Sequence, residues 1–445
     1  MDVSLPWGEK ELALTLPDGW TVFQPQRPPL PPEAHKDELT LVAEALAAPV
    51  GARPLRERDL AGKRILVIID DNTRPTPVAR FLHLALAELE RAGVERRNIT
   101  LLAALGIHTP MTEAEMAEKV GAENLAGLQW RNHDAFDENQ MTDFGVTRRG
   151  TRVRLNKALA EADLILTLGL IEPHLWAGFG GGMKNILPGV AAAETIGQHH
   201  HVIAEPPYQF NRVGMAPEEN DFRLDLEEVQ GLIAAPIFAL NVVLSPGARI
   251  IAAFAGDPVA AHRAGVAFNR RISGLSLPQQ VDGVIVNSHP MDINLKQSMK
   301  GVGNSLPALK PGGVVMGFLR AERGLDDIPL PEKATPLWLT KNILRLLGPS
   351  RVLWFLDKVR PGQNVEERFL TYYSMQLIRA HDLYFYVPSL SDDEVKRLGF
   401  FQQFHDPQQV IQQGLKKLGP KAAVALFPEA GATFPIIDAA RSISG

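Results

Sequence analysis

Residues 64–70 read RILVIID. A strand with one wet face alternates polar and apolar residues, whereas an unbroken aliphatic run suits a parallel strand covered on both faces. The loop DNTRPTP follows, and then an amphipathic stretch from about Pro77 to Ala92 with the spacing of a helix. Strand, loop and helix in that order predict an α/β fold. The rhythm repeats outward: Ile99–Leu105, Asp163–Gly169 (DLILTLG), Phe238–Leu244 and Arg249–Ala255 all read as buried strands. Upstream lies a short β-like start, joined by a proline-rich connector at 25–35 (PQRPPLPPEAH). Around 272–280 the pattern breaks at SGLSLPQQV. A second series follows: VDGVIVN, a helix over about 293–309, GGVVMGF, RVLWFL, LYFYV and AAVALF. The expectation is two α/β domains, 1–275 and 276–445, each with a mainly parallel sheet, and a cleft between them. Such sheets bind ligands at the carboxyl ends of their strands.

The composition bounds the function. The chain has 445 residues, 45% of them hydrophobic, and a formal charge of −5. A net acidic chain is poorly suited to the nucleic-acid backbone. There is no cysteine, so a metal would need histidine, carboxylate or the donors of a cofactor. The N-terminus lacks the charged and apolar regions of a signal peptide. No apolar run approaches the ~20 residues of a membrane span. The expectation is a cytoplasmic protein with neither a membrane nor a nucleic-acid partner.

Four segments at strand ends carry candidate chemistry. Asp71-Asn72-Thr73-Arg74-Pro75 can present a guanidinium to a carboxylate or phosphate, and it also suits an ordinary turn before a helix. Gly106–Thr112 contains His108, a residue type fit for proton transfer near neutral pH. Thr112 and Glu115 form a capping-box pattern that needs no function. The third segment, IEPHLWAGFGGGMKNILPGVAAAETIGQHHH at 171–201, offers His174, then Gly178, Gly180, Gly181 and Gly182 leading to Lys184, Asn185 and a Pro188-Gly189 turn. Glycines let the backbone approach a ligand, and their N–H groups can cradle a phosphate. A lysine buried there could lose its proton and serve as a nucleophile or a covalent anchor. The segment is not a Walker A loop, since Asn185 follows the lysine. His199, His200 and His201 cannot all face one point on a regular element, so one or two at most could bind one metal. In the fourth segment, Gln297 and Lys300 share a helix face, and Lys296 lies one turn before Lys300.

Together these segments resemble the lactate racemase family, whose enzymes use a nickel-pincer nucleotide. The resemblance runs from LPWG and LPDGW through DNTRP, GIHTPMT, EPHLWAGFGGGMKNILPG and the HHH run to DINLKQSMK and PGGVV. It implies a racemase or C2-epimerase of a small 2-hydroxy acid, acting by reversible hydride transfer through a 2-keto acid. The implied cofactor is a pyridinium-3-thioamide-5-thiocarboxylate mononucleotide with nickel, linked covalently to Lys184. His200 matches the nickel ligand, by its count from the lysine. His108 and His174 match the paired acid/bases, and Arg74, Gln297 and Lys300 match groups that hold the substrate. Asp71, Thr73, Gly181, Gly182, Asn185, Pro188 and Gly189 fall at cofactor-binding positions. Cofactor-synthesis proteins are implied as partners. One position departs from the family: lactate-specific members often have an aromatic residue where this chain has Lys296. A further cation suits an acid with more oxygens or a second carboxylate. Without the resemblance, the residues would also fit a Schiff-base lyase using Lys184, or a nickel or nucleotide carrier without turnover.

Overall fold

The computed structural model describes residues 1–204, 209–326, 328, 330–359 and 365–437. Two six-stranded sheets organise the chain. In the first, the order is Ile250–Gly256, Ile237–Leu244, Leu164–Leu170, Ile65–Asp70, Ile99–Ala104, Gln129–Asn132. All neighbours run parallel except the pair Ile237–Leu244 and Ile250–Gly256. Ile65–Asp70 and Leu164–Leu170 are buried at every residue, as their unbroken aliphatic sequences require. The helix Val78–Arg91 covers one face with Val78, Phe81, Leu82, Ala85, Leu86 and Leu89. The sequence therefore located this helix to within a residue at each end.

The second sheet is wholly parallel, in the order Gln402–Gln403, Asp382–Tyr386, Leu309–Phe318, Val281–Asn287, Ala423–Phe427, Thr21–Phe23. Its last strand comes from the opposite end of the chain. Thr21, Val22 and Phe23 pair with Ala423, Val424 and Ala425. The hairpin Asp2–Trp7 and Lys10–Thr15 packs Leu5 and Leu14 into the same core, and Trp20, which follows it, joins them. Residues 2–23, expected in the first domain, thus lie on the second. An edge strand needs only a partner with free backbone groups, and nothing in a sequence names that partner.

One further expectation changes. RVLWFL, read within the strand series, lies in the helix Pro349–Val359, which leaves Trp354 and Phe355 exposed. A short apolar run has no periodicity to separate strand from helix. Among the described residues, no helix is long and apolar enough to cross a membrane.

Each sheet has one point where the winding reverses. In the first it lies between Ile65–Asp70 and Leu164–Leu170; in the second, between Val281–Asn287 and Ala423–Phe427. Crevices open at such points, beyond the carboxyl ends of the strands. Asp71–Arg74 and Ile171–His174 leave the first crevice, and the helix Leu295–Ser305 follows the strand at the second.

Candidate active site

The loop after Ile65–Asp70 is anchored from beneath. Buried Asp70 takes an ion pair from Lys119 Nζ at 2.8 Å and a hydrogen bond from the Thr76 hydroxyl. Lys119 also donates to the Arg74 carbonyl at 3.0 Å. Above this base, Asp71 Oδ1 accepts from the Thr73 N–H and hydroxyl at 3.0 and 2.6 Å. Asp71 Oδ2 lies 2.6 Å from His108 Nδ1. Burial pushes the Asp71 carboxyl up, but the hydrogen bond and charge of His108, the Arg74 charge and the Thr73 bond outweigh it and hold it at about 2. A carboxylate can only accept, so Nδ1 of His108 carries hydrogen, and in the neutral ring Nε2 carries the lone pair. The expected capping box forms as read, with Thr112 and Glu115 closing it reciprocally.

His174 has the opposite arrangement. Its Nδ1 accepts from the backbone N–H groups of Trp176 and Ala177, both at 3.2 Å. The lone pair is therefore on Nδ1 and the hydrogen on Nε2. Burial, followed by the charges of Lys184, Arg74, Lys300 and Arg223, pushes its pKa well down and keeps it neutral.

The glycine loop is fixed by groups that no motif announced. Fully buried Arg223 donates to the carbonyls of Ala177 at 3.4 Å, Gly181 at 3.1 Å and Phe179. His262 Nε2 donates to the Gly180 carbonyl at 2.9 Å. Asn241 Oδ1 accepts from the Gly182 N–H at 2.9 Å, and the Glu172 carbonyl accepts from the Gly180 N–H at 2.7 Å. Those two amides are committed within the protein, which narrows the expected phosphate cradle. The glycines here are steric requirements. At Gly181, with φ +75°, a Cβ would stand 2.8 Å from Asn241 Oδ1 and 2.9 Å from the Leu170 carbonyl. At Gly182, with φ +61°, it would stand 3.0 Å from the His262 ring. Left-handed φ combined with such contacts admits glycine alone.

Lys184 follows in a short 3-10 turn, Gly182–Asn185. Burial first, and then the charges of Arg74 and Arg223, push its amine well below the usual lysine range, with Glu172 opposing. Asn185 Nδ2 donates to the Leu168 carbonyl at 2.6 Å and ties the turn to the strand end. Gly189, after Pro188, donates to the Lys184 carbonyl and accepts from the Gly106 N–H at 2.8 Å. The turn thereby joins the lysine loop to the loop of His108.

The three histidines separate as expected of adjacent residues. His199 Nδ1 pairs with Asp225 at 2.8 Å, and Asp225 is held by the Thr147 and Thr151 hydroxyls. His200 donates Nδ1–H to the Ile196 carbonyl at 2.8 Å, which puts its lone pair on Nε2. His201 is exposed. The edge-on ring of Trp176 lies 5.3 Å from His200 and 6.2 Å from His174. Among the described residues, no three His, Cys, Asp or Glu side chains gather as a metal site. A metal on His200 would need its remaining donors from elsewhere, and a cofactor with its own donors fits. The glycine-lined approach and the lowered basicity of the Lys184 amine fit a covalently attached group.

The second domain contributes the helix Leu295–Ser305, capped by Asn294 through the Gln297 N–H. Gln297 is half-buried one turn before Lys300. Lys300 Nζ lies 3.7 Å from Glu172 Oε1, and Arg74 Nη1 lies 3.7 Å from the same oxygen. Thus the structure pairs Asp71 with His108, brings Arg74 and Lys300 onto Glu172 beside His174 and Lys184, and sets His200 at the end of the helix Ala193–His200 against Trp176. Arg223, Glu172, Asn241, His262 and Asp225 escaped sequence reasoning. Only Glu172 carried a signal, as a carboxylate directly after a buried strand and two residues before His174.

Residues 7–210 match the family described as lactate racemase N-terminal domain. The lactate racemase of Thermoanaerobacterium thermosaccharolyticum is 33% identical over 401 residues, covering 83% of this chain and 91% of that protein. The lactate racemase of Lactiplantibacillus plantarum is 31% identical over 349 residues, covering 73% and 81%. Among solved structures, the apoprotein of the Thermoanaerobacterium lactate racemase superposes with a TM-score of 0.81 at 26% identity, covering 98% of this chain and all of that one. A Thermotoga maritima protein shares the fold, with a TM-score of 0.62 at 18% identity over 89% of this chain and 97% of that one.

Proposed function

The chain belongs to the lactate racemase family, and we propose that it inverts the C2 centre of a 2-hydroxy acid with a nickel-pincer nucleotide held on Lys184 and His200. The observation that carries this reading is the pair of imidazoles held through Nδ1 in opposite senses, His108 against Asp71 and His174 against backbone N–H groups, with His174 beside a desolvated lysine. Inversion through a planar keto acid needs a proton-transfer group for each face of the substrate, and a carrier needs none.

When bound, the cofactor supplies a hydride acceptor and donor, which no protein side chain can provide. The side chains do the rest. His108 Nε2 takes the hydroxyl proton, and Asp71 stabilises the resulting imidazolium. His174 donates a hydrogen bond from Nε2 to the oxygen on the other face; to deliver a proton there it must first be protonated on Nδ1, which releases its two backbone N–H contacts. For the reverse direction the imidazoles exchange roles. Arg74 and Lys300 hold the substrate carboxylate, and Gln297 assists. Loss of water around Lys184 favours the neutral amine needed for a covalent link. Lys296, one turn from Lys300, favours a substrate with a second carboxylate or additional oxygens.

The test is to produce the chain together with the cofactor-synthesis proteins, then measure intact mass and nickel content. A panel of 2-hydroxy acids deuterated at C2 follows in ordinary water. Inversion with the deuterium retained is the expected result; its wash-out into solvent would point to simple proton abstraction and sink the hydride reading. The desolvated amine of Lys184 also suits a Schiff base, which borohydride would trap as a lysine adduct of a carbonyl substrate.

A further inference from the structure

The seat expected for the substrate's carboxylate already contains one. Glu172 Oε1 lies 3.7 Å from Arg74 Nη1, on the first domain, and 3.7 Å from Lys300 Nζ, on the second. A single oxygen between two cations is how a bound carboxylate would sit. The Glu172 side chain is 14% exposed, and its backbone carbonyl is pinned by the Gly180 N–H. Its surroundings are otherwise cationic. Lys184 and Lys300 both feel its charge, and both also feel Arg74. At 3.7 Å neither contact is a tight bond, so the carboxylate is held mainly by charge and can be displaced.

We propose that Glu172 is a resident place-holder that occupies the anion seat between Arg74 and Lys300 and yields it to the carboxylate of the substrate. Without it, two cations from different domains would face each other across an empty seat. With it, the charges stay balanced until an anion arrives, and displacement releases one direct tie between the domains. Glu172 thereby weakens substrate binding and favours anions strong enough to compete. The inference rests on the reading that Arg74 and Lys300 receive a carboxylate.

The experiment measures binding of glycolate and of acetate to the full chain by calorimetry at low salt. The proteins are wild type, Glu172→Gln and Glu172→Asp. Gln keeps the shape and removes the charge; Asp keeps the charge but withdraws it by one methylene. Affinity should rise in the order wild type, Glu172→Asp, Glu172→Gln, with glycolate about tenfold tighter in Glu172→Gln. Arg74→Gln should abolish the gain. Unchanged or weaker binding of both probes in Glu172→Gln overturns the proposal. If that variant does not fold, Glu172→Asp decides alone, and binding no tighter than wild type overturns it. Tightening of acetate and glycolate alike supports the place-holder, whereas glycolate bound no tighter than acetate in every one of these proteins counts against a 2-hydroxy acid as the substrate, so the two readings fail separately.

Discussion

The loop that carries Lys184 and the seat formed by Arg74 and Lys300 are held by different means. Beneath the lysine loop, Arg223, His262 and Asn241 engage backbone groups of Ala177, Phe179, Gly180, Gly181 and Gly182, all in the dry interior. Hydrogen bonds to a buried charge are strong, and breaking them leaves carbonyls with no water to replace the donor. At the anion seat, both cations are partly exposed and lie 3.7 Å from their common partner. The difference matches the roles proposed for the two regions. A covalently tethered group stays in place through every turnover, and its support can be rigid. A substrate comes and goes, so its seat must let one anion replace another.

Substitutions in the two regions test that contrast. Lys184→Ala should abolish attachment entirely: intact mass of protein made with the cofactor-synthesis proteins would equal that of the bare chain. The same lysine gives a pH test. Its amine is shifted down, so the neutral form persists to lower pH than for an exposed lysine. Acylation of the unloaded chain, followed by peptide mass spectrometry, should therefore show a midpoint for Lys184 below that of the surface lysines; a midpoint at or above theirs would remove the argument for a primed amine.

Asp71→Asn removes the charge behind His108 and leaves the loop otherwise intact. We expect kcat to fall by about 100-fold or more with little change in KM, measured in steady-state racemisation. Arg223→Met should lower unfolding stability by about 3 kcal/mol in urea titration, because three carbonyls lose their donor. Lys300→Met removes a cation of comparable size from the other region and should cost less than about 1 kcal/mol in the same titration, because its ion pair is long and partly solvated. Equal costs for the two would mean that the lysine loop and the anion seat are held alike. Lys296→Tyr should have the smallest effect, a shift of about tenfold in kcat/KM away from acids with a second carboxylate. An unchanged substrate profile would show that Lys296 does not read the substrate.

Much of this was legible in the sequence because it depends on local chemistry. RILVIID and DLILTLG are strands buried on both faces, and no partially exposed element tolerates such runs. The glycines before Lys184 mark a backbone that must approach its neighbours closely, as the contacts at Gly181 and Gly182 bear out. His108, His174, Arg74 and Lys300 each follow a strand of the kind that opens on a crevice. Other features were not legible. Arg223 lies in DFRLDLEE, a stretch that reads as an ordinary solvated helix. Its partners are carbonyls about 40 residues upstream, and a carbonyl has no signature in sequence.

The α/β class, the strands and the residue types able to anchor a cofactor and move protons are already set in the order of residues along the chain. These follow from hydrophobic pattern and side-chain chemistry, which are properties of short segments. Only the tertiary structure decided that residues 2–23 complete the second sheet, that His108 and His174 are held through Nδ1 in opposite senses, and that Glu172 stands between cations of two domains. Each depends on groups far apart in the chain meeting at a few ångströms. Hydrogen-bond direction and charge balance are set at that contact.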